Sequence, residues 1–471
     1  MKILFIYKGR YHIRDTVIIE YLSSIAKDYG YSTGLVYDQD LFGITDNVIY
    51  LPLLNKIFSN FNRLIRKIIK DISAHIVVFL DGFNRRAWNK EIAEKIKEIG
   101  EGVITVCLYY WRPPEERVYD YVLVGEPELT FREFLEGRLF NKAKGEYEFS
   151  GLVDLNGLPL LDKELFAPYV NFKDSYPIYT SKGCPYSCSY CEETVYKNKL
   201  GKEYFRRKYP ENVILELEEA KRRFNIREII YKDSVFTWDK IWLKSYLEEY
   251  KKKIDLPYKC FGKAEVFDEE IAQMLKESGC YCVEFGVQTL NEELKYNILK
   301  REEKTSVLLK AFSICDKYKL RYDIDHMFGI PGEKVEDHIK AAKLYINLRY
   351  LNRIKCHNLT FYKEAPIYQY APSWIKSNEE YKADFFSTIS GDKFMVEINR
   401  VFEKYYKVLP LLPKRFNFYI LERNKWKLFK FLPNIFIFFL MFLLALKNKD
   451  RRFKVYLKYY PKKITQVLLG K

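Results

Sequence analysis

The chain has 471 residues, which is more than one ordinary domain core needs, so two or three domains are expected. Its hydrophobic content of 48%, interrupted by glycine and proline, is typical of a globular protein and excludes an intrinsically disordered one. Lys and Arg total 79 against 63 Asp and Glu, a net charge of +16. Nine of the basic residues lie in 447–471 beside one acid, Asp450, and this excess favours an anionic partner.

The start of the chain and its cysteines both predict a cytoplasmic protein. Only five apolar residues in a row, 3–7, occur before charge returns at Lys8, which is too short for a signal peptide and suits a buried strand. The nine cysteines are odd in number and scattered, which argues against a disulfide framework. Six of them lie in apolar or strand-like stretches and are predicted to be small core residues: Cys107, Cys260, Cys280, Cys282, Cys315 and Cys356.

Residues 1–140 alternate between strand-like and helix-spaced segments. Strands are predicted at 2–7, 33–37, 75–81, 102–108 and 120–124. Such alternation predicts a doubly wound, Rossmann-like parallel sheet, which binds ligands off the carboxyl ends of its strands. Asp81, Gly82, Gly125 and Glu126 follow two of those ends. Residues 141–175 have few periodic signals and are predicted to be a linker that packs on its neighbours.

A second alternating region spans 176–371. Six strand–helix units predict a partial (β/α)6 barrel, whose active face lies at the carboxyl ends of its strands. The strands are predicted at 176–181, 228–232, 258–263, 282–287, 321–328 and 354–361, and the helices near 211–224, 239–252, 268–277, 291–299, 305–318 and 335–348.

Three cysteines follow the first of these strands. Cys184, Cys188 and Cys191 have the spacing C-x3-C-x2-C, and no histidine lies nearby in the sequence. Four thiolates would close a structural zinc site or an iron–sulfur cluster, whereas three leave one position open. A [4Fe–4S] cluster with one iron free for a chelating ligand is predicted. Structural zinc with a distant fourth ligand stays an alternative.

This motif resembles the signature of the radical S-adenosylmethionine (radical SAM) enzymes, C-x3-C-x-aromatic-C, with Tyr190 as the aromatic residue. Further segments across 176–371 are similar to the family's later strands and loops, among them "IIYKDSVFTWDK" (229–240), "VEFGVQTLNEE" (283–293) and "DIDHMFGIPGE" (323–333). The resemblance implies that SAM chelates the open iron and that one electron cleaves it to a radical that abstracts hydrogen from the substrate. A ferredoxin or flavodoxin would supply that electron.

The same resemblance implies the residues around SAM. Asp233 and Ser234 would lie near its amino group, Gln288 would face its adenosine, and Arg301 would pair with a carboxylate. Tyr190 would belong to the same site. Lys263, Asp325 and His326 are given no role.

The first domain resembles that of the cobalamin-binding subgroup of these enzymes. The similarity lies in "DYVLVGEPELTFREFLEG" (120–137) and in "GLVDLNGLPLLDKELFAPY" (151–169). It implies a corrinoid near Asp81, Gly82, Gly125 and Glu126. The D-x-H-x-x-G signature of a lower-ligand histidine is absent around His12, so a domain that no longer holds cobalamin stays an alternative.

Residues 372–471 are predicted to be a helical C-terminal region. The uninterrupted apolar run 435–446 would form a helix of about 18 Å, short of the roughly 30 Å hydrocarbon core, so a single-pass span is excluded. A buried helix, an oligomer contact and insertion into one leaflet stay open. The aromatic and basic flank 424–431 favours peripheral membrane association through 424–471. Nucleic acid is not expected, because no base-stacking module accompanies the basic run.

Together these features predict a cytoplasmic radical SAM enzyme, at the cytoplasmic face of a membrane, that activates a C–H bond for methyl transfer or carbon–carbon bond formation. The predicted substrate is a small molecule, in particular a lipid or lipid-linked one. Two alternatives remain: a cobalamin-free radical SAM enzyme of rearrangement, cyclisation or coupling, and a non-catalytic iron–sulfur or zinc protein.

Overall fold

The protein consists of two parallel sheets with their helices, followed by a helical C-terminal region. The computed structural model describes residues 1–9, 14–39, 64, 75–82, 85–99, 102–110, 118–138, 142–377, 393–451, 457, 461 and 465. His12 and most of the basic run 447–471 therefore lie outside the described residues.

The first sheet has six strands in the order β2-β1-β3-β4-β5-β6, all of them parallel. The strands are β1 Lys2–Gly9, β2 Ser32–Gln39, β3 Ile76–Leu80, β4 Ile104–Tyr109, β5 Tyr121–Val124 and β6 Gly145–Glu148. β3 and β5 are buried along their whole length, because helices cover both faces of a doubly wound sheet. The last strand, β6, comes from the segment that was predicted to be a linker.

The helices of this domain are α1 Arg14–Asp28, α2 Arg86–Ile99 and α3 Pro127–Glu133. Ile18, Leu22 and Ile25 of α1 recur at helical spacing and are all buried against the sheet. Gly30 follows α1 with a φ of +81°, the left-handed conformation that ends many helices. The predicted alternation is therefore present in the fold.

The second sheet is also parallel, and its order β7-β10-β11-β12-β13-β14 follows the chain, as expected for an open barrel. Its strands are β7 Tyr176–Ile178, β10 Ile229–Tyr231, β11 Tyr258–Gly262, β12 Cys280–Gln288, β13 Arg321–Phe328 and β14 Leu351–Asn358. Its helices are α4 Glu192–Leu200, α5 Pro210–Phe224, α6 Lys240–Lys253, α7 Glu269–Glu277, α8 Glu292–Asn297, α9 Thr305–Lys317 and α10 Val335–Tyr345. The predicted α/β fold class, a doubly wound domain followed by a partial barrel, is confirmed.

A short antiparallel ladder lies between the two sheets. It pairs β8, Ser181–Lys182, with β9, Arg206–Arg207. A second link is the fully buried ion pair between Lys163 Nζ and Glu20 Oε2, which are 2.6 Å apart. Lys163 Nζ also donates to the carbonyl of Pro177 in β7 at 2.9 Å. The segment before the barrel is thus packed between the two domains.

The cysteines outside the motif behave mainly as small core residues. Cys107, Cys260, Cys280, Cys282 and Cys315 are buried, whereas Cys356 is partly exposed. None of these described cysteines forms a disulfide.

The C-terminal region covers β14, the edge strand of the open barrel. It contains α11 Ser373–Lys376, α12 Lys393–Val408, α13 Lys414–Glu422, a 3-10 helix Lys425–Phe431 and α14 Asn434–Asn448. Trp426 stacks on Phe402 of α12 with ring centroids 4.6 Å apart. Asn448 donates to the carbonyl of Asn352 in β14 at 2.8 Å. The region is therefore attached to the barrel.

One stripe of α14 faces the protein and the opposite stripe faces solvent. Ile437, Leu444 and Ala445 are buried. The exposed residues recur at i, i+3, i+7 and i+10: Phe436, Phe439, Leu443 and Leu446, which are 45%, 51%, 36% and 56% exposed. Of the three alternatives left open by the sequence, burial therefore describes one face of the helix, and the oligomer contact and the insertion into one leaflet stay open for the other face.

No single helix among the described residues has the length and apolar composition to cross a bilayer. Lys425–Phe431 and Asn434–Asn448 meet that length and composition only when taken as a pair, and they are bent by 115° relative to each other.

The packing of the C-terminal region predicts the effect of removing its buried indole. Trp426 is 2% exposed, so Trp426→Ala should leave a large cavity and lower the free energy of unfolding by about 3–5 kcal/mol. Trp374→Ala is the matched control, because that side chain is 45% exposed and should cost less. Denaturant unfolding followed by circular dichroism measures both. Equal losses would contradict the described packing.

Candidate active site

The three cysteines lie on one loop, residues 183–191, that leaves β8 and leads into α4; we call it the cysteine loop. Gly183 has a φ of +90°, and a Cβ there would lie 2.8 Å from the backbone oxygen of Tyr204. Only glycine allows this close approach and this conformation. The loop therefore leaves the β8–β9 ladder in a fixed direction.

Hydrogen bonds within the cysteine loop and from α4 stabilise the conformation of the loop. The Cys191 amide donates to the Cys188 carbonyl at 3.2 Å, and Thr194 Oγ1 donates to the same carbonyl at 2.8 Å. Lys197 Nζ donates to the carbonyls of Pro185 and Tyr186 at 3.1 and 2.7 Å. α4 thus holds the loop from its C-terminal side.

Cys184, Cys188 and Cys191 form no disulfide, and all three are half-buried. Burial raises the pKa of the Cys184 thiol, and the positive charges of Lys197 and Lys263 oppose that rise. Three thiols on one loop, with cations nearby to stabilise thiolates, form a donor set that fits a three-ligand iron–sulfur cluster.

Arg301 connects the loop to the end of β12. Its Nη1 donates to Tyr190 Oη at 3.1 Å, and its Nη2 donates to the Gly286 carbonyl at 2.6 Å. A Cβ on Gly286 would lie 2.8 Å from Gln288 Nε2 and 3.6 Å from Arg301 Nη1. The structure therefore brings together three of the residues assigned to SAM: Tyr190, Gln288 and Arg301.

Glu303 balances the charge of this group. Arg301 Nη2 is 3.1 Å from Glu303 Oε1, and Lys263 Nζ is 2.7 Å from Glu303 Oε2. Burial by itself would raise the pKa of Glu303, but the two cations outweigh it and lower that pKa to about 2. Glu303 is thus ionised at neutral pH and holds Arg301 in place.

Asp233 and Ser234 lie at the carboxyl end of β10. The Asp233 carboxylate is buried and accepts hydrogen bonds from Thr180 Oγ1 at 2.6 Å, from the Thr180 amide and from Ser181 Oγ. Ser234 Oγ donates to Glu193 Oε1 at 2.9 Å. These contacts connect β10 to the segment before the cysteine loop and to α4 after it. The assignment of both residues to the SAM amino group stays a prediction.

The four residues assigned to cobalamin follow β3 and β5. Asp81 Oδ2 pairs with Arg86 Nη2 at 2.7 Å, and Gly82 lies against the Arg85 side chain. Gly125 has a φ of +137°, and a Cβ there would lie 2.7 Å from the Phe149 oxygen. Glu126 is fully buried and accepts from the Val153 amide at 2.6 Å. Their contact with a corrinoid stays a prediction.

The carboxyl edge of the first sheet contacts the residues that flank the cysteine loop. Tyr110, next to the end of β4, packs on Tyr196 of α4 with ring centroids 4.3 Å apart. Lys182 Nζ, one residue before the loop, is 2.9 Å from Glu126 Oε1 and 2.6 Å from Glu128 Oε2. A ligand bound at that edge would therefore be next to the cysteines.

Sequence reasoning missed Glu193 and Glu303. Glu193 lies two residues after Cys191, and Glu303 lies two residues after Arg301. An acidic residue this close to an assigned position was the signal that could have identified each of them.

His326, which was given no role, forms a hydrogen bond between its Nδ1 and Tyr345 Oη at 2.9 Å. Its ring lies edge-on to Tyr406, with ring centroids 4.9 Å apart. Its surroundings are those of a buried core histidine.

Comparison with known proteins agrees with this geometry. The family profile described as "Radical SAM superfamily" matches residues 178–345. An uncharacterised methyltransferase of Pyrococcus horikoshii is 26% identical over 312 residues, which are 61% of this chain and 67% of that protein.

Two solved structures share the fold across both domains. The radical SAM methyltransferase TsrM of Kitasatospora setae, with tryptophan and a SAM analogue bound, matches with a TM-score of 0.57 and 16% identity over 78% of this chain and 75% of its own. The cobalamin-dependent radical SAM enzyme OxsB, with aqua-cobalamin and SAM bound, gives a TM-score of 0.62 and 12% identity over 91% and 72%. At these identities the likeness concerns the fold.

The comparisons confirm the resemblance to radical SAM enzymes and, through it, the predicted enzyme with a [4Fe–4S] cluster and SAM. The likeness to the cobalamin-binding subgroup is confirmed at the level of fold. The non-catalytic alternative is thereby removed.

Gly183 predicts a specific loss of the cluster. Gly183→Ala should displace the start of the cysteine loop, because its Cβ would meet backbone atoms of Tyr204 and Phe205, just before β9. The reconstituted protein should therefore lose most of its iron. Gly201→Ala is the matched control: Gly201 has a φ of +96° but no atom within 4 Å of its Cβ position. Iron per chain measures both. Full iron in Gly183→Ala would contradict the role of this close approach.

Proposed function

We propose that this chain, whose residues 178–345 match the radical SAM superfamily, transfers a methyl group to a carbon atom of its substrate, or forms another carbon–carbon bond there, with cobalamin held by its first domain. The main support is one observation: Lys182 and Tyr196, on either side of the cysteine loop, both contact the carboxyl edge of the doubly wound sheet. That edge is where such a sheet binds its ligand.

When bound, the cluster supplies the electron that cleaves SAM and cobalamin supplies a carrier for the methyl group. The protein's own residues bind and orient. Cys184, Cys188 and Cys191 hold the cluster, and Gln288 and Arg301 bind SAM beside Tyr190. Glu303 keeps Arg301 in position, and the contact between the two domains excludes water from the space between them. A reductant and a small-molecule substrate complete the reaction.

The cobalamin-free alternative is less well supported. TsrM and OxsB share both domains with this chain, and the OxsB structure contains aqua-cobalamin. The P. horikoshii relative, whose name is methyltransferase, extends over 61% of the chain. Rearrangement or coupling without cobalamin would leave the first domain without a ligand at its carboxyl edge.

Anaerobic reconstitution tests this function without knowledge of the substrate. The chain should bind about four irons, retain hydroxocobalamin through gel filtration, and convert reduced cobalamin to methylcobalamin when SAM is added. The triple Cys184→Ala, Cys188→Ala, Cys191→Ala variant should lose the iron, whereas Cys356→Ala should keep it, because Cys356 lies outside the cysteine loop. A chain that binds iron and cleaves SAM but never retains cobalamin would favour the cobalamin-free alternative.

We propose further that the enzyme works at a membrane on a lipid or lipid-linked substrate. The support is the apolar stripe of α14, which remains exposed although the helix packs on the barrel. Exposed basic side chains precede and follow that stripe in the sequence: Lys414, Arg415, Arg423, Lys425, Lys427, Lys430, Lys447 and Lys449. Apolar insertion into one leaflet combined with attraction to anionic head groups gives stable binding where one signal alone is marginal.

Vesicle sedimentation tests the membrane proposal. The full chain should bind vesicles that contain anionic phosphatidylglycerol, less in high salt, and Phe436→Ser/Phe439→Ser/Leu443→Ser should abolish binding. Leu215→Ser/Ile241→Ser is the matched control, because it removes exposed apolar side chains from barrel helices α5 and α6. If the intact chain stays in the supernatant, or the stripe variant still sediments, the membrane proposal is wrong. A dimer that the stripe variant dissociates would assign the stripe to a subunit contact.

A further inference from the structure

Lys182 is a buried lysine placed directly before the cysteine loop, one residue from Gly183 and two from Cys184. It is 7% exposed, and its ammonium lies between two carboxylates of the first domain, Glu126 Oε1 at 2.9 Å and Glu128 Oε2 at 2.6 Å. Both carboxylates are also buried. A buried charge is tolerated only when it is paired, so the position of Lys182 is determined by these two residues.

Arg206 extends the same ion-pair cluster on the other strand of the ladder. It is the partner of Lys182 in the β8–β9 register. Its guanidinium binds both oxygens of Glu126, with Nη1 3.2 Å from Oε2, and Nη1 also donates to the Val153 carbonyl at 2.6 Å. Glu126 therefore holds both strands of the ladder at the start of the cysteine loop. The charges of Lys182 and Arg206 are balanced by those of Glu126 and Glu128.

The far side of the loop is held by the same edge of the first sheet. Tyr196 of α4, five residues after Cys191, packs on Tyr110, and Lys182 Nζ lies 5.6 Å from the centre of the Tyr110 ring. The cysteine loop is thus held at its start by an ion pair and after its end by an aromatic contact. Both contacts come from the carboxyl ends of β4 and β5.

We propose that Glu126 and Lys182 are positioning residues for the iron–sulfur cluster. They set the location of Cys184 relative to the first domain, and so the distance and orientation between the cluster with its SAM and the ligand-binding edge of that domain. The proposal rests on the proposed function, since it requires a cluster on the cysteine loop. Beyond the proposed function, it assigns to a residue of the first domain, Glu126, a part in setting the position of the cluster.

A second buried ion pair supplies a matched control. Glu20 and Lys163 also join the first domain to the barrel, with side chains that are fully buried and 2.6 Å apart. Lys163 contacts β7 at Pro177 rather than the cysteine loop. Loss of either pair should destabilise the junction between the domains, but only loss of the Glu126–Lys182 pair should affect SAM cleavage.

The experiment compares Glu126→Gln, Lys182→Met, Lys182→Arg and Glu20→Gln in the full reconstituted chain. Iron per chain, melting temperature, the electron paramagnetic resonance spectrum of the reduced cluster with SAM, and the rate of 5'-deoxyadenosine formation are measured. Glu126→Gln and Lys182→Met should bind iron but cleave SAM about tenfold or more slowly, with an altered spectrum, because small displacements of a reacting group have large effects on rate. Lys182→Arg should recover part of the rate, and Glu20→Gln should cleave SAM like the wild type.

Equal rates in Glu126→Gln and Glu20→Gln overturn the positioning role and leave the proposed function intact. Equal rates in Lys182→Arg and Lys182→Met overturn it as well. If Glu126→Gln does not fold, Glu128→Gln provides the same test through its 2.6 Å contact with Lys182. A wild-type chain that neither binds iron nor cleaves SAM overturns the proposed function and the positioning role together.

Discussion

The buried ion pairs between Glu126, Glu128, Lys182 and Arg206 join the two domains at the start of the cysteine loop. Charges of this kind lose their hydration on folding, and they are stable in the interior only when each has a partner at hydrogen-bond distance. The pairing therefore specifies one arrangement of the two domains. A slip of one residue in the β8–β9 ladder would move Lys182 and Arg206 apart, so that Glu126 could no longer pair with both.

This arrangement gives the two parallel sheets a common boundary. Side chains at the carboxyl ends of parallel strands meet at one edge of each sheet, which is where α/β proteins place their ligands. Here the edge of the first sheet contacts the segment that follows the first barrel strand. A radical enzyme that uses two cofactors needs both within reach of one substrate and protected from water, and two edges that share one loop meet both needs.

The group around Arg301 is also held together by ion pairs between buried side chains. Arg301 is buried, and its charge is offset by Glu303, which also pairs with Lys263. Because the guanidinium is planar and has several donors, it binds Tyr190, Gly286 and Glu303 in fixed directions. Lys263, which the sequence interpretation left without a role, pairs with both Glu303 and Glu265. The C-terminal region differs: α14 buries one stripe and leaves an equally apolar stripe exposed, so its composition alone does not describe its packing.

Local patterns were sufficient for the fold class and for the resemblance to radical SAM enzymes. Apolar runs and helical spacing identified the strands and helices of both sheets, because burial of a parallel sheet requires such runs. The cysteine spacing and Tyr190 were enough to predict the cluster ligands, because all of these residues lie on one loop. Contacts between segments that are far apart in the sequence could not be predicted from local patterns and became visible only in the tertiary structure. Glu126 was assigned to a cofactor from its strand end, yet it pairs with Lys182 and Arg206, 56 and 80 residues further along the chain. The strand β6 joined a sheet without a clear pattern of its own. An ion pair or an edge strand forms when the fold brings its partners together. The spacing of residues along the sequence contains no information about the distance between such partners in space.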